Sequence, residues 1–197
     1  MAVIINASTS TGLVQSADTS GIIQFQSNGT TKATLNSSGF SYPGGVLQVV
    51  STVKTDTFST TSNSYVDVTG LSVSITPTSA SSKILVLFQI NGSQNVGANR
   101  AMVKLLRGST VINAGDAAGS RTPALGGFSS SDHSIPSTPV SGSFLDSPAT
   151  TSSTTYKIQL AMSAGSGSAY INQTNQDTDQ ASQIRTASTI TVMEIAA

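Results

Sequence analysis

Short stretches of alternating apolar and polar residues, separated by turn-forming residues, recur along this chain and constrain its fold more than any other feature. Residues 71–75 and 156–162 alternate as strands with one buried face do, and residues 84–88 form an apolar run typical of a central strand. Leu, Ala, Glu and Lys nowhere gather at the spacing of an amphipathic helix. The sequence therefore predicts an all-β protein.

Residues 46–197 predict a single globular domain. They carry about eight strand-like segments at short spacing with turn residues between them, which is the pattern of a jelly-roll-like β-sandwich. We expect Asn91-Gly92 to end the central strand in a turn. Residues 113–155 are rich in Gly, Ser and Pro, and they predict a long exposed or intersubunit loop with one short strand near residues 140–145.

Residues 1–45 predict a separate, extended β appendage that ends in a hinge at residues 42–45. Asn28-Gly29 is the strongest short hairpin signal, because both central positions of such a turn need positive φ. Two strands alone bury too little to be stable in water, so this arm needs a partner, which is another copy, the following domain or a host surface. We predict that its apolar side chains attach it to a partner or to sister copies: Val3, Ile4, Ile5, Ile22, Ile23 and Phe25.

Charge is scarce and balanced. Nine Lys and Arg offset nine Asp and Glu, and charged residues make up 9% of the chain, against about 25% in an average domain. The basic residues are scattered singly, so we expect no binding to nucleic acid. A neutral surface lacks repulsion between copies, which favours self-association.

The chain also lacks the signals of membrane insertion and of secretion. No segment approaches the ~20 apolar residues of a membrane span, and the first residues lack the pattern of a signal peptide. With no cysteine, disulfides and thiolate metal sites are excluded. We therefore expect synthesis in the cytoplasm and no membrane insertion.

Candidate chemical groups are few. His133 has Ser and Asp beside it in sequence, whereas a catalytic relay needs these groups to converge from separate elements. Residues 172–180 offer oxygen ligands but lack the Gly and the final Glu of a calcium-binding loop. The acidic residues fall mostly in turns rather than as a facing pair. We predict no catalytic site, no metal site and no cofactor, and therefore a protein that is not an enzyme.

Several segments resemble structural proteins of tailed bacteriophages, especially marine and cyanobacterial ones. They are TDTFSTTSNSYVDVTGLSVSITP (55–77), SSKILV (81–86), LLRGS (105–109) and RTASTITVMEI (185–195), and ADTSG (17–21) with QSNGTT (26–31) resembles the start of phage fibre and head-surface proteins. The resemblance covers most of the chain except residues 113–155. It implies a virion surface protein, usually a homotrimer, with an N-terminal attachment region and a C-terminal β domain.

The short chain decides between two functions that fit this resemblance. Long tail fibres carry repetitive shafts, which this sequence lacks. We therefore expect a trimeric decoration (cement) protein on the outer head surface, bound to the major capsid protein or another virion protein. The alternative is a small tail-fibre or baseplate module that binds a host-surface glycan, with residues 113–155 in contact with the glycan.

Overall fold

Fourteen β-strands and no helix make up the described part of the computed structural model, which comprises residues 20–37, 39–96, 99–128, 137–163 and 166–197. The prediction of an all-β protein is confirmed. The chain divides into two compact units, Met1–Gly45 and Val46–Ala197.

The first unit is an antiparallel three-stranded sheet of β1 (Ile23–Ser27), β2 (Thr30–Asn36) and β3 (Gly39–Ser41), in that order. Asn28 and Gly29 connect β1 to β2 with φ angles of 50° and 72°, as the Asn-Gly signal predicts. Strand β3 was not predicted, because three residues are too few to show a period.

The second unit contains the remaining strands in two sheets. Sheet A holds β4 (Val46–Lys54), β5 (Phe58–Thr60), β7 (Lys83–Gln94), β11 (Thr138–Asp146), β13 (Ala169–Ile171) and β14 (Ser188–Ile195). Sheet B holds β6 (Val66–Ile75), β8 (Ala101–Arg107), β9 (Thr110–Asn113), β10 (Gly126–Phe128) and β12 (Thr154–Met162).

In three cases, two strands together occupy one strand position in their sheet. Strands β13 and β14 pair with successive parts of the same side of β7, and β4 and β5 pair with their far sides. In the same way β9 and β10 share one side of β8, whose other side pairs with β12. Counting each pair once leaves eight strand positions, four in each sheet.

The order of these eight strand positions defines the fold. Numbered along the chain, sheet A reads 1-8-3-6 and sheet B reads 2-7-4-5. The hydrogen-bonded pairs 4:5, 3:6, 2:7 and 1:8 are nested like the two arms of one long hairpin that has been rolled up. This is the jelly roll, and the predicted sandwich is confirmed in topology as well as in class.

The hydrophobic core lies between the two sheets. Alternate residues of each strand point inward, so Ile84, Val86, Ile190 and Val192 of sheet A are buried opposite the inner side chains of sheet B. The latter come from three strands: Leu71, Val73, Val103, Leu105, Ile158 and Leu160. The clean period of two in β12 and β14 reflects this single buried face.

Strand β7 does not end in a turn at Asn91-Gly92, and that prediction is wrong. The strand continues to Gln94. A Cβ atom at Gly92 would lie 2.3 Å from Cε2 of Phe128, and Phe128 is only 1% exposed. Glycine is present so that an aromatic ring can lie against the central strand.

The prediction for residues 113–155, a long loop with one short strand near residues 140–145, is confirmed in part. The strand is present and most of the other described residues lie outside strands, whereas β10 was not predicted and residues 129–136 lie outside the described residues. That strand, β11, has nine residues and forms an edge of sheet A, and β10 forms part of an edge of sheet B. The inward positions of β11 include Gly142, where an added Cβ would lie 3.1 Å from the Phe88 ring. A glycine at an inward-facing position weakens the alternation that identifies a strand.

Candidate contact surfaces

The outer face of sheet A carries an apolar row that crosses the whole sheet. Val49, Met193, Leu85 and Leu145 lie directly opposite one another on β4, β14, β7 and β11. The two side chains on the edge strands are well exposed, Val49 by 55% and Leu145 by 56%. We call these four residues the apolar row.

The two rows on one side of it are uncharged, and the row on its other side contains Lys83. Ser51, Thr191, Leu87 and Ser143 form the next row, and Val53, Thr189, Gln89 and Ser141 form the one after it. Among the described side chains that point outward from sheet A, Lys83 is the one ionic group. It lies at the end of β7, where its Nζ donates to Oγ of Ser147 at 2.8 Å.

The outer face of sheet B is polar and charged by contrast. Lys157 Nζ and Gln159 Nε2 donate to the two carboxylate oxygens of Asp67 at 2.7 and 2.8 Å. These two hydrogen bonds hold the pKa of Asp67 below its ordinary value. Lys104 Nζ lies 4.0 Å from the ring centroid of Tyr65, a cation–π contact. The two outer faces of the sandwich therefore differ in chemical character.

The three-stranded sheet of the first unit also has one apolar face. Ile23, Leu35 and Phe40 lie opposite one another on its three strands, and Phe25 and Tyr42 extend this face. The Phe40 ring lies 5.9 Å from Phe25 in an edge-to-face arrangement and 6.0 Å from Tyr42. We call these five residues the aromatic face.

Water reaches most of the aromatic face. Phe40 is 57% exposed, Tyr42 51%, Phe25 45% and Leu35 40%. The opposite side of the sheet carries Gln24 and Gln26 among other polar residues, and their side chains are hydrogen-bonded to each other at 3.0 Å. The unit thus has one polar side and one apolar side, and both are exposed to water.

The predicted attachment residues divide between described and undescribed parts of the chain. Ile22 and Phe25 are exposed, Ile23 is half-buried, and Val3, Ile4 and Ile5 lie outside the described residues. Leu35, Phe40 and Tyr42 were not predicted. Their positions could have indicated them, since Leu35 pairs with Ile23, Phe40 pairs with Leu35, and Tyr42 follows Phe40 by two residues.

Asp146 forms the main polar link between the two sheets. Its carboxylate accepts hydrogen bonds from Arg107 Nη1 at 2.8 Å and from the Tyr156 hydroxyl at 2.7 Å. Asp146 belongs to sheet A, whereas both donors belong to sheet B. Burial, and then the adjacent Asp146 carboxylate, raises the pKa of Tyr156. The group is a structural clamp in which each member has its partner.

Glu194 is a buried carboxylate at the end of β14. It is fully inaccessible to water. Gln48 Nε2 donates to one of its oxygens at 2.6 Å, and the backbone N–H and hydroxyl of Thr78 donate to the other at 2.8 Å each. Burial raises the pKa of Glu194, but polar contacts, among them the hydrogen bonds from Gln48 and Thr78, outweigh this effect and leave the pKa below its ordinary value.

A buried asparagine fixes the base of the segment between β13 and β14. Asn172 has a left-handed φ of 63°. Its side-chain amide donates to the backbone carbonyls of Lys54 and Asp56 at 2.8 and 3.0 Å, and its Oδ1 accepts from the Ser188 hydroxyl at 2.6 Å. Asn tolerates this backbone conformation and supplies both donors and an acceptor.

An open polar cleft lies within the same segment, at residues 177–185. It has a volume of about 320 Å³ and is lined mainly by polar side chains, including the ion pair of Asp177 with Arg185 at 2.8 Å. Within the described residues no cluster of three or more His, Asp or Glu side chains is arranged to hold a metal ion, and no helix is long and apolar enough to cross a membrane. His133 lies outside the described residues.

The chain has weak similarity to two solved virus structures. It is 14% identical to a chain in the structure of infectious bursal disease virus Gt strain, with a TM-score of 0.41 over 98% of this chain and 47% of that one. For infectious bursal disease virus Gx strain the identity is 14% and the TM-score 0.40, over 88% of this chain and 40% of that one. This chain thus spans less than half the length of either.

Both TM-scores are too low to establish a shared fold, so the jelly-roll assignment depends on the strand order. No protein-family model matches the sequence, and no curated protein is similar to it.

Proposed function

We propose that this protein is a non-enzymatic structural component of a tailed-phage virion, a homotrimeric decoration (cement) protein on the outer surface of the head. In this proposal the jelly roll is the external body and the first unit attaches it to the major capsid protein or to another virion protein. The protein is made in the host cytoplasm and added to the particle there.

The aromatic face is the observation that supports this function best. Three ordered strands hold Phe25, Phe40 and Tyr42 about half exposed, and contiguous apolar surface of this kind marks interaction sites in soluble proteins. Aromatic side chains are enriched at the buried centres of protein interfaces. The opposite side of the sheet is polar, so the arm has one side suited to a partner.

The described carboxylates add to the case for a structural role. Four carboxylates each lie beside a cation, namely Asp56 with Lys54, Asp67 with Lys157, Asp146 with Arg107 and Asp177 with Arg185. In each pair a cation neutralises the carboxylate, whereas a glycosidase needs two carboxyl groups facing each other across a substrate. We therefore propose that the protein has no catalytic activity.

The alternative function is a small tail-fibre or baseplate module that binds a host-surface glycan. The open cleft at residues 177–185 favours it, because carboxylate, amide and guanidinium groups there suit sugar hydroxyls. The described lining of the cleft holds no aromatic ring on which a sugar could stack. We therefore place this function second.

Copy number and location in the virion distinguish the two functions. A decoration protein occupies the whole head lattice, so cryo-electron microscopy should show density over the capsid and hundreds of copies per particle. Density confined to the tail, with a handful of trimers, would contradict the head assignment and favour the glycan-binding alternative. Measured binding of purified protein to host-surface glycans would then test that alternative directly.

Attachment through the first unit is tested by Phe40→Ser combined with Tyr42→Ser. Both side chains are about half exposed, so we expect the jelly roll to stay folded while the added protein no longer sediments with undecorated heads. Ser replacement of Gln24, on the polar side of the same sheet, is the matched control. Retained binding by the double variant would contradict attachment through the aromatic face.

A further inference from the structure

We infer that the outer face of sheet A is the surface through which copies of this chain contact one another. The inference names the contact surface of the proposed oligomer and in that respect rests on the proposed function. It concerns the jelly roll itself and is separate from attachment through the aromatic face.

The first argument is the asymmetry between the two sheets. Sheet A presents the apolar row and, on one side of it, two rows without charge. Sheet B presents Asp67, Lys104 and Lys157. Because both sheets cover the same core, packing inside the molecule does not require this difference. An interface centre is poor in charged residues, which matches sheet A and not sheet B.

The second argument is that the face is suited to a copy of itself. Outward side chains of sheet A carry one described ionic group, Lys83, at the end of a strand and already bonded to Ser147. A face without charge in its centre meets the same face of another copy without repulsion between like charges. A cationic or anionic partner, by contrast, would find no complementary charge here. The zero net charge of the chain removes long-range repulsion as well.

The third argument is the edge strand β4. An exposed edge strand is normally protected by charge, Pro or a bulge. Residues 46–53 contain neither a charged residue nor Pro, and Val46, Val49 and Val53 are each more than half exposed. The one irregularity is at the start of β4, where Gln48 and Val46 pair with the successive residues Glu194 and Ile195, so that Leu47 is an extra residue and forms a bulge at that end. From residue 48 to residue 53, the edge next to the apolar row is therefore poorly protected against association.

The size of the face agrees with a share in a larger assembly. Four strands about 4.8 Å apart and roughly 23 Å long cover roughly 450 Å². A standard interface uses about 800 Å² on each partner. Sheet A alone thus falls short of a stable dimer, and its contact needs the other surfaces of the oligomer to reach full strength.

The test uses the full chain with Val49→Lys and Leu145→Lys combined, which places two positive charges at the ends of the apolar row. Val111→Lys is the matched control, because Val111 is also an exposed valine, at 40%, on an edge strand of the other sheet. All three proteins should give the same β-sheet circular dichroism, since each replaced side chain is exposed.

By sedimentation velocity over a range of concentrations, we expect wild type and V111K to form the same oligomer. The double variant should associate at least about 100-fold more weakly, since burying each apolar side chain contributes roughly tenfold. An oligomer of unchanged strength in the double variant overturns the inference, as does a monomeric wild type. Binding to undecorated heads is measured in parallel, so failure of the self-contact is distinguishable from failure of virion attachment.

Discussion

Replacing Glu194 by Gln should show how much a buried carboxylate that accepts several hydrogen bonds contributes to stability. Gln has the shape of Glu but offers one oxygen and one amide nitrogen. If its oxygen keeps the two Thr78 donors, its nitrogen points at Gln48 Nε2, which is also a donor. At least one hydrogen bond to a charged group is lost and a donor is left unpaired in a buried site.

A hydrogen bond to a charged group is worth about 1.5–3 kcal/mol. We therefore expect E194Q to lower the free energy of unfolding by about 2–3 kcal/mol at neutral pH. The assay is urea unfolding followed by tyrosine fluorescence, because the chain has four Tyr and no Trp. One protein concentration is used throughout, since self-association otherwise adds to apparent stability.

The pH dependence provides the sharper test. The pKa of Glu194 is lower in the folded protein than its ordinary value of 4.5, so the folded state favours the ionised form. The carboxylate's contribution is therefore complete above the ordinary pKa and is lost as pH falls through the lower, folded value. E194Q has no such group, and the difference in stability between wild type and variant should shrink over that range.

Two results would refute this reasoning. One is an E194Q variant as stable as wild type at neutral pH. The other is a difference that grows as the solution is acidified, which would mean that the folded state prefers the protonated carboxyl.

Three further substitutions test other features, with thermal and urea unfolding as the common measurement. G92A should lower the free energy of unfolding by at least about 2 kcal/mol through overpacking. Replacing Phe128 by Leu in the same chain should restore part of that stability. Unchanged stability in G92A would refute the role given to this glycine. N172A should cost about 2–4 kcal/mol, because it removes the side-chain donor to one buried and one partly buried carbonyl and leaves positive φ without a compensating side chain. A cost below that of an exposed control would contradict it. D146A should cost about 3 kcal/mol by leaving Tyr156 without an acceptor, whereas D67A on the solvent-exposed face should cost less than about 1 kcal/mol; equal costs would show that the link between the sheets adds nothing.

The sequence predicts the fold well where one face of a strand is buried and the other is exposed to water. Residues 156–162 and 188–195 show a clear alternation because every second side chain enters the core. The prediction is less complete where an inward-facing position is filled by something other than an apolar residue. Gly142 interrupts the pattern of β11, and Gly92 imitates a turn although it lies within a strand to make room for Phe128.

The contact surfaces could be predicted only in part, for a different reason. Alternation shows that Val49 and Leu145 share a face with their own strand neighbours, but not which strands lie side by side. The apolar row joins residues from four strands far apart in the sequence, and it becomes visible only when the order 1-8-3-6 is known. The aromatic face was found in its first strand, where Ile23 and Phe25 belong to a recognisable hairpin, and missed in its second and third strands.

The nested strand order also controls when the molecule can be completed during its synthesis. Strand β4 is among the first parts of the jelly roll to leave the ribosome, yet its described partner, β14, is the last. At about 5–20 residues per second, roughly 7–30 s separate the two. During that interval a valine-rich strand remains unpaired, close to nascent copies that are translated from the same messenger RNA. A chain that stops before Ser188 can never cover β4 or the facing side of β7, so premature termination yields a product for proteolysis and not a shortened but working subunit.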